Sequence, residues 1–184
     1  MSKTAVFLAD GFEEIEALTV TDLLRREHIE TLLVSVSGEK IAKGSHGINV
    51  ETDTAIGDLD FDSLDMLILP GGKLGTDNLL ACKLLEEKIK EFKQDGKYLA
   101  AICAAPSVLG LHGVLNGVKA CCYPGFEDKL LGAEIVTDKP AVTDGTIITG
   151  RGMGCSLEFG LAVVEVLKGR EEAVKLSAGI VNMR

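Results

Sequence analysis

The sequence has no tryptophan, and aromatic residues make up only 4% of its 184 positions. Aliphatic side chains must therefore fill most of its interior. Basic residues are also scarce, with 19 lysines and arginines against 28 aspartates and glutamates, for a net charge of −9. So acidic a chain gains nothing electrostatically from nucleic acid or from an anionic membrane, and we expect neither as a partner.

Long apolar runs are missing as well. The longest apolar region, Tyr98 to Leu115, is interrupted by a proline, two glycines and a histidine, which makes it too broken for a membrane span. The first ten residues lack the apolar core and cleavage site of a secretory signal. The five cysteines are odd in number and form no C-x-x-C pair, which is typical of reduced thiols. We therefore expect a cytoplasmic protein without a zinc site.

What the sequence does contain is an alternation of short apolar runs with helical patterns. This alternation predicts an α/β fold with a mostly parallel sheet covered by helices on both faces, in a single domain over residues 1–184. The predicted strands are Thr4–Ala9, Thr31–Ser37, Met66–Leu69, Tyr98–Ile102, Val118–Cys122 and a hairpin in Ala141–Thr149 that turns at Asp144-Gly145. The predicted helices are Glu13–Glu27, Leu84–Phe92, Ala104–Leu111 and Ser156–Leu167. Ile48–Thr52 is predicted to be an edge strand or part of a hairpin, and Asp53–Asp65 a solvated loop.

Cys103 directly follows a predicted buried strand and precedes a predicted helix. Its small neighbours Ala101, Ala104 and Ala105 would permit a tight turn like the nucleophile elbow of hydrolases. Unsatisfied N–H groups at the start of a helix favour a thiolate, so this position predicts a lowered thiol pKa and a nucleophile. The alternative is that Cys103 is a small buried hydrophobic residue, the usual state of a free cysteine and our expectation for the other four.

Glu16 interrupts an apolar stripe in the first predicted helix, where it shares one face with Val20, Leu23 and Leu24. Burial would raise the pKa of its carboxyl group. A protonated Glu16 would be able to donate a hydrogen bond to a thiolate or to act as the general acid/base. The alternative is a glutamate at the rim, with its stem packed and its carboxyl group in water.

Gly71 and Gly72 end another predicted strand at the same edge of the sheet. Glycines there let backbone N–H groups approach a developing oxyanion, although Pro-Gly-Gly also occurs as a simple sharp turn. Histidines are few, and none adjoins Cys103 or lies beyond position 112, so activation of the cysteine by histidine is not expected. His46, in a Gly-Ser-His-Gly loop, lies either near the site or in solvent.

Four segments together resemble the ThiJ/PfpI superfamily, in the branch of the parkinsonism-associated protein deglycase and its bacterial relatives: LADGFEEIEA, LPGGKLGTDNL, AAICAAPSVL and GRGMGCSLEFGLAVVE. The resemblance implies a flavodoxin-like (class I glutamine amidotransferase-like) three-layer sandwich, a homodimer, and no cofactor or metal. It also implies a reactive, easily oxidised cysteine at Cys103, hydrogen-bonded to a protonated glutamate at Glu16. The family's oxyanion glycines would fall at Gly71, Gly72 and Gly75, with a further N–H from Ala104.

The activities that this resemblance implies act on methylglyoxal-like aldehydes, which are converted to lactate-like acids, or on early glycation adducts of proteins. The alternative function is a redox-sensing stress protein or chaperone in which Cys103 is oxidised to the sulfinic acid. Tyr123 stands where some relatives have the histidine of a His-Pro pair, and His46 stands where relatives often have arginine. Both are therefore possible site residues. Asp22 and Arg26 match positions near the family's dimer contact, where we expect a structural role.

Overall fold

A computed structural model of the chain describes residues 2–183. The strands are β1 (Lys3–Leu8), β2 (Glu30–Ser35), β3 (Ile41–Lys43), β4 (Asn49–Glu51), β5 (Thr54–Ala55), β6 (Met66–Leu69), β7 (Tyr98–Ile102), β8 (Lys119–Ala120), β9 (Glu134–Ile135), β10 (Ala141–Asp144) and β11 (Ile147–Gly150). The α helices are α1 (Glu14–Arg26), α2 (Lys73–Ala81), α3 (Lys83–Gln94), α4 (Pro106–Leu111), α5 (Ser156–Lys168) and α6 (Arg170–Gly179).

Seven of these strands form one sheet in the order β10-β11-β7-β6-β1-β2-β5. All neighbours in it run parallel except β10, which is antiparallel to β11 at the edge. The central strands are continuous apolar runs because both of their faces are covered. The result is the predicted flavodoxin-like three-layer sandwich.

Alternate residues of the central strands pack into two separate hydrophobic cores, one on each face of the sheet. Val6 and Leu8 of β1 face α1, α5 and α6 on one side of the sheet. Ala5 and Phe7 face α3 and α4 on the other side. This division follows from the period of two in a strand, which sends successive side chains to opposite faces. Both faces are therefore closed, and ligands have access to the sheet mainly at its ends.

The order of the strands places a crevice at one of those ends. β1 pairs with β2 on one side and β6 on the other, so the chain reverses its direction of winding between them. In open α/β sheets such a switch point opens a crevice beyond the carboxyl ends of the strands. The segments that follow β1, β6 and β7 contain Glu16, Gly71 and Cys103, and all three converge there.

Two predicted elements are wrong in detail. The hairpin turns one residue later than expected, at Gly145-Thr146, because Asp144 still pairs with Ile147. Gly145 has a φ of +57°, which a glycine adopts without a steric penalty. The strand predicted over Val118–Cys122 shortens to β8 and pairs with β9 outside the main sheet.

Several elements had no clear signal in the sequence. Helix α2 buries only Gly75, Thr76 and Leu79, so it lacks an apolar stripe that periodicity would reveal. The short strand β5 lies inside the segment predicted to be a loop, Asp53–Asp65. Strands β3 and β4 form an antiparallel hairpin. Of the two predictions for Ile48–Thr52, an edge strand or part of a hairpin, the hairpin is confirmed. No helix within residues 2–183 is both long enough and apolar enough to cross a bilayer.

Candidate active site

Cys103 occupies a strained turn between β7 and α4. Its φ of +65° lies in the left-handed region, which costs a residue with a side chain about 1–3 kcal/mol. Two hydrogen bonds hold the backbone there: the Cys103 N–H donates to the carbonyl of Gly150 at 2.9 Å, and the Tyr123 N–H donates to the Cys103 carbonyl at 2.8 Å. The tight turn predicted at this position is confirmed.

Glu16 is fully buried beside this turn. Its Oε2 atom accepts a hydrogen bond of 2.8 Å from the N–H of Gly71. Its Oε1 atom is also buried and has no conventional hydrogen-bond partner among the described residues, while the Cys103 thiol hydrogen-bonds to the carboxyl group. The proximity predicted for the two side chains is therefore present, and the alternative of a glutamate at the solvent-exposed rim is wrong.

Burial raises the pKa of Glu16 to about 7, and it outweighs the lowering by the hydrogen bonds from Cys103 and Gly71. Removing a carboxylate from water disfavours its charge, and only these two donors compensate. Near neutral pH the carboxyl group is therefore close to half ionised. Its environment suits it to both accepting and returning a proton.

The pKa of the Cys103 thiol is raised, not lowered as the sequence predicts. Burial raises it to about 12 together with the charge of Glu16 and the hydrogen bond to it, while the N–H groups of Gly72 and Ala104 act in the opposite direction. Helix α4 begins only at Pro106 and has six residues, so its N-terminus offers the sulfur little stabilisation. Within this pair, Glu16 is the group that titrates near neutral pH.

The glycines of the β6–α2 turn allow these groups to approach one another. A Cβ atom at Gly71 would lie 2.6 Å from both the Cys103 Cβ and the Glu16 Oε2. Gly72 has a φ of +89°, and a Cβ atom there would lie 2.3 Å from the carbonyl oxygen of Gly11. At these two positions only glycine fits.

The predicted set of oxyanion donors needs correction. The N–H of Gly71 already donates to Glu16, and the N–H of Gly75 donates to the Gly11 carbonyl at 3.1 Å, so neither is free to hold a substrate oxygen. The backbone N–H groups of Gly72 and Ala104 instead lower the pKa of the Cys103 thiol, so these two act on the reacting atom.

A cavity of about 460 Å³ opens over the sulfur. Both positions at which the chain departs from the family pattern, His46 and Tyr123, lie in the lining. Four further lining residues were not predicted as site residues: Glu13, Lys73, Phe126 and Met153. All of them except Phe126 lie within the segments that carry the family resemblance, so those segments were the available signal. The lining residues are Glu13, Glu16, His46, Gly72, Lys73, Cys103, Ala104, Tyr123, Phe126 and Met153.

Glu14 anchors the turn that brings His46 to this cavity. Glu14 is only 2% exposed, and its Oε1 accepts the His46 backbone N–H at 2.6 Å. Its Oε2 lies 2.9 Å from His46 Nδ1 and accepts the Ser45 hydroxyl at 3.1 Å. Burial opposes its ionisation, but the hydrogen bonds from His46 and the backbone outweigh burial and lower the pKa of Glu14 to about 2. The β3–β4 turn is thus fastened to the first turn of α1 by an ionised carboxylate.

Glu13, Glu14 and His46 are the one group within residues 2–183 whose ligand atoms are placed closely enough to surround a metal ion, all within 4.8 Å of one another. Hydrogen bonds hold this arrangement together: the Ser45 hydroxyl lies within hydrogen-bonding distance of both carboxylates, and His46 Nδ1 lies 2.9 Å from Glu14 Oε2 and 3.5 Å from Glu13 Oε2. The hydrogen bond to Glu14 and the charges of Glu13 and Glu14 raise the pKa of His46. The two carboxylates therefore favour the protonated form of the imidazole.

Comparison with known proteins places this site in a family. The model of the DJ-1/PfpI family matches residues 2–166. Protein DJ-1 homolog B of Arabidopsis thaliana is 38% identical over 97% of the chain, which spans only 41% of that longer protein. The glutathione-independent glyoxalase DJR-1.2 of Caenorhabditis elegans is 32% identical, and the match covers 95% of the chain and 94% of the relative.

A solved structure is similar over the whole length of the chain. The oxidised DJ-1 of Toxoplasma gondii superposes with a TM-score of 0.94 at 34% identity and covers 100% of both chains. The similarity thus includes the central sheet, the turn at Cys103 and the first turn of α1. The chain belongs to the DJ-1/PfpI family.

Proposed function

We propose that this protein is a cysteine-dependent, cofactor-free enzyme of the glyoxalase or deglycase type, acting on methylglyoxal-like aldehydes or early glycation adducts. The observation that carries the proposal is the pair of Cys103 and Glu16: a thiol on a strained turn, beside a fully buried carboxyl group with a pKa of about 7, both lining one cavity. The similarity to a glutathione-independent glyoxalase supports the same class of reaction.

The first step forms a hemithioacetal. The Cys103 sulfur attacks the aldehyde carbon, and the thiol proton passes to the ionised Glu16 beside it. Because the thiol pKa is raised, this proton must leave as the carbon–sulfur bond forms rather than beforehand. The N–H groups of Gly72 and Ala104, which act on the thiol at rest, stabilise the oxyanion that forms on the adjacent carbon, and the oxyanion then recovers the proton from Glu16.

The second step moves hydrogen between the two substrate carbons. Glu16 removes the proton from the former aldehyde carbon to give an enediolate and returns it to the neighbouring carbon. The hydroxyl proton of the hemithioacetal passes to the neighbouring oxygen, and the product is a thioester of lactate on Cys103. Water cleaves the thioester, which releases lactate and restores the thiol. A carboxyl group with a pKa near the working pH is suited to this double transfer.

Replacing the nucleophile tests the proposal. Cys103→Ala should lower lactate formation from methylglyoxal roughly a thousandfold or more, because no hemithioacetal can form. Cys82→Ala is the matched control, since Cys82 is also a partly exposed free cysteine but lies outside the cavity. The same pair should be compared on a peptide carrying early glycation adducts. Equal turnover by Cys103→Ala and the control would contradict the mechanism.

A redox-sensing role is the second candidate, favoured by the partial exposure of Cys103 and by the oxidised state named for the similar Toxoplasma structure. In this role Cys103 gains two oxygen atoms from peroxide, and the protonated Glu16 donates a hydrogen bond to the resulting sulfinate. Intact mass and peptide mapping after mild peroxide treatment would show the gain at residue 103. Such a gain without aldehyde turnover would favour sensing over catalysis.

The proposal includes a homodimer in a reducing cytoplasmic compartment, where the cysteines remain thiols. Helix α1 exposes two large apolar side chains, Ile15 at 49% and Leu18 at 37%. Leu18 lines a groove of about 360 Å³ together with Leu157 and Ile180. The i,i+4 ion pair between Arg26 and Asp22 lies at this groove, in keeping with a structural role. Light scattering at micromolar concentration would measure the oligomeric state, and a monomer would remove this part of the proposal.

A further inference from the structure

The cavity over Cys103 carries two basic side chains that the reaction itself does not use. Lys73 is the first residue of α2 and lies in the lining. It is exposed and forms no ion pair within the described part of the chain. Seven of the other thirteen lysines form an ion pair with a carboxylate. An unpaired ammonium group at the mouth of a reactive cavity is therefore available to a ligand.

His46 reaches the cavity from a different element, the turn between β3 and β4. Its imidazole is 68% exposed, with Nδ1 at 2.9 Å from Glu14 and 3.5 Å from Glu13. Both carboxylates favour the imidazolium form, and the buried Glu14 fixes the position of the ring. The N-terminus of α2, which begins next to Gly72, adds the positive end of a nine-residue helix to the same wall.

Two acidic groups also line the cavity. The Ser45 hydroxyl donates to Glu13 Oε2 at 3.3 Å, and His46 Nδ1 lies 3.5 Å from the same oxygen, so the charge of Glu13 is directed toward His46. Glu16 is buried at the reactive end beside Cys103. The cavity thus has a reactive end at Cys103 and the exposed, unpaired Lys73 in its lining. At about 460 Å³ it has room for more than a three-carbon aldehyde.

We propose that the preferred substrates of this site are 2-oxoaldehydes that carry a carboxylate, which Lys73 binds directly, with His46 as a further donor in the same lining. The inference rests on the proposed aldehyde chemistry at Cys103 and specifies the substrate class. The aldehyde carbon reaches the sulfur, and the carboxylate remains at the mouth among the basic groups.

A suitable probe is 4,5-dioxopentanoate, with its methyl ester as the neutral partner. The reaction adds one water molecule and yields 2-hydroxyglutarate, releasing one proton. The aldehyde carbon is oxidised to a carboxylate while the adjacent ketone carbon is reduced to a secondary alcohol. The oxidation and the reduction occur within one molecule, so no external oxidant or reductant is needed.

The decisive quantity is the ratio of kcat/KM for the acid to kcat/KM for its ester, measured within each variant. Lys73→Gln should lower this ratio roughly five- to tenfold, the size of one partly exposed charge-assisted contact. His46→Gln should lower it less, about twofold, because the imidazolium is shared with Glu13 and Glu14. Lys73→Arg should retain most of the preference. Lys139→Gln, which removes an exposed lysine outside the cavity lining, is the control and should match the wild type.

The ratio does not depend on the fraction of folded enzyme, so a partly unfolded variant still gives a valid answer. An unchanged ratio in Lys73→Gln would overturn this inference even if methylglyoxal is turned over normally. Failure of the wild type to turn over methylglyoxal, the acid and the ester would instead overturn the aldehyde chemistry itself. The two failures are therefore distinguishable.

Discussion

Glu14 and Glu16 lie two residues apart in the first turn of α1, and both are buried, yet their acidities move in opposite directions. The pKa of Glu14 is lowered to about 2, whereas the pKa of Glu16 is raised to about 7. Glu14 accepts hydrogen bonds from the Ser45 hydroxyl, the His46 backbone and the His46 ring. Glu16 accepts one backbone N–H, from Gly71, besides its contact with a thiol. Burial alone therefore does not set the charge of a carboxyl group; the number of donors does.

This difference in pKa gives the two glutamates different roles. Glu14 stays ionised across the physiological range and fastens the β3–β4 turn to the helix. Glu16 changes its protonation state near neutral pH and lies beside the only thiol in the cavity lining. Residues two positions apart point to different sides of a helix, so one meets the hairpin and the other meets the strand ends.

The largest expected effect comes from removing the titrating carboxyl group. Glu16→Gln should lower kcat/KM for methylglyoxal by roughly a hundred- to ten-thousandfold, the usual contribution of a general acid/base. In the wild type, kcat/KM should rise with pH up to about 7 and then level off, because Glu16 must be ionised to accept the thiol proton. Rates measured from pH 5 to pH 9 test both points. A Glu16→Gln variant with wild-type turnover, or a wild-type profile flat around pH 7, would contradict the assignment.

The next largest effect concerns the change in stability between acidic and slightly alkaline pH. The raised pKa of Glu16 means that the folded state holds a proton that the unfolded chain releases above about 4.5. The contribution of this bound proton to the free energy of unfolding is fully present below pH 4.5. It is lost as pH rises through about 7, and the total loss is roughly 3 kcal/mol. The free energy of unfolding of Glu16→Gln, taken as a difference from wild type, should therefore be larger at pH 8 than at pH 5. Urea denaturation at the two pH values measures it, and a gain in the opposite direction would rule out the raised pKa.

The smallest effect should come from Glu14, with the opposite dependence on pH. Glu14→Gln should destabilise the fold at pH 7 by about 1–3 kcal/mol, because it leaves buried donors without an ionised acceptor. The lowered pKa makes this contribution present above about 4.5 and lost as pH falls toward about 2, so wild type and variant should converge in acid. The His46 pKa, followed by NMR, should also fall in the variant. If wild type and Glu14→Gln were equally stable at pH 7 and had the same His46 pKa, Glu14 would not stabilise the β3–β4 turn.

Much of this architecture could be predicted from local patterns. The apolar runs of β6 and β7 identified buried parallel strands, and small residues around Cys103 predicted a tight turn that the φ of +65° confirms. Glu16 interrupts an apolar helical stripe, which allowed either a buried or a rim position, and the structure supports the buried one. Such predictions succeed because period, residue size and backbone restriction are properties of neighbouring residues.

The sequence by itself determined the parallel α/β sandwich and the turn at Cys103, and it placed Glu16 on the apolar face of α1. Only the tertiary structure decided the acidity of the site and its donors: that the thiol pKa is raised, that Gly71 and Gly75 are already hydrogen-bonded, and that Lys73 stands at the cavity mouth. The reason is distance along the chain. The donor to Glu16 is 55 residues away and the donor to Glu14 is 32 residues away, so no local pattern can count the hydrogen bonds that set each charge.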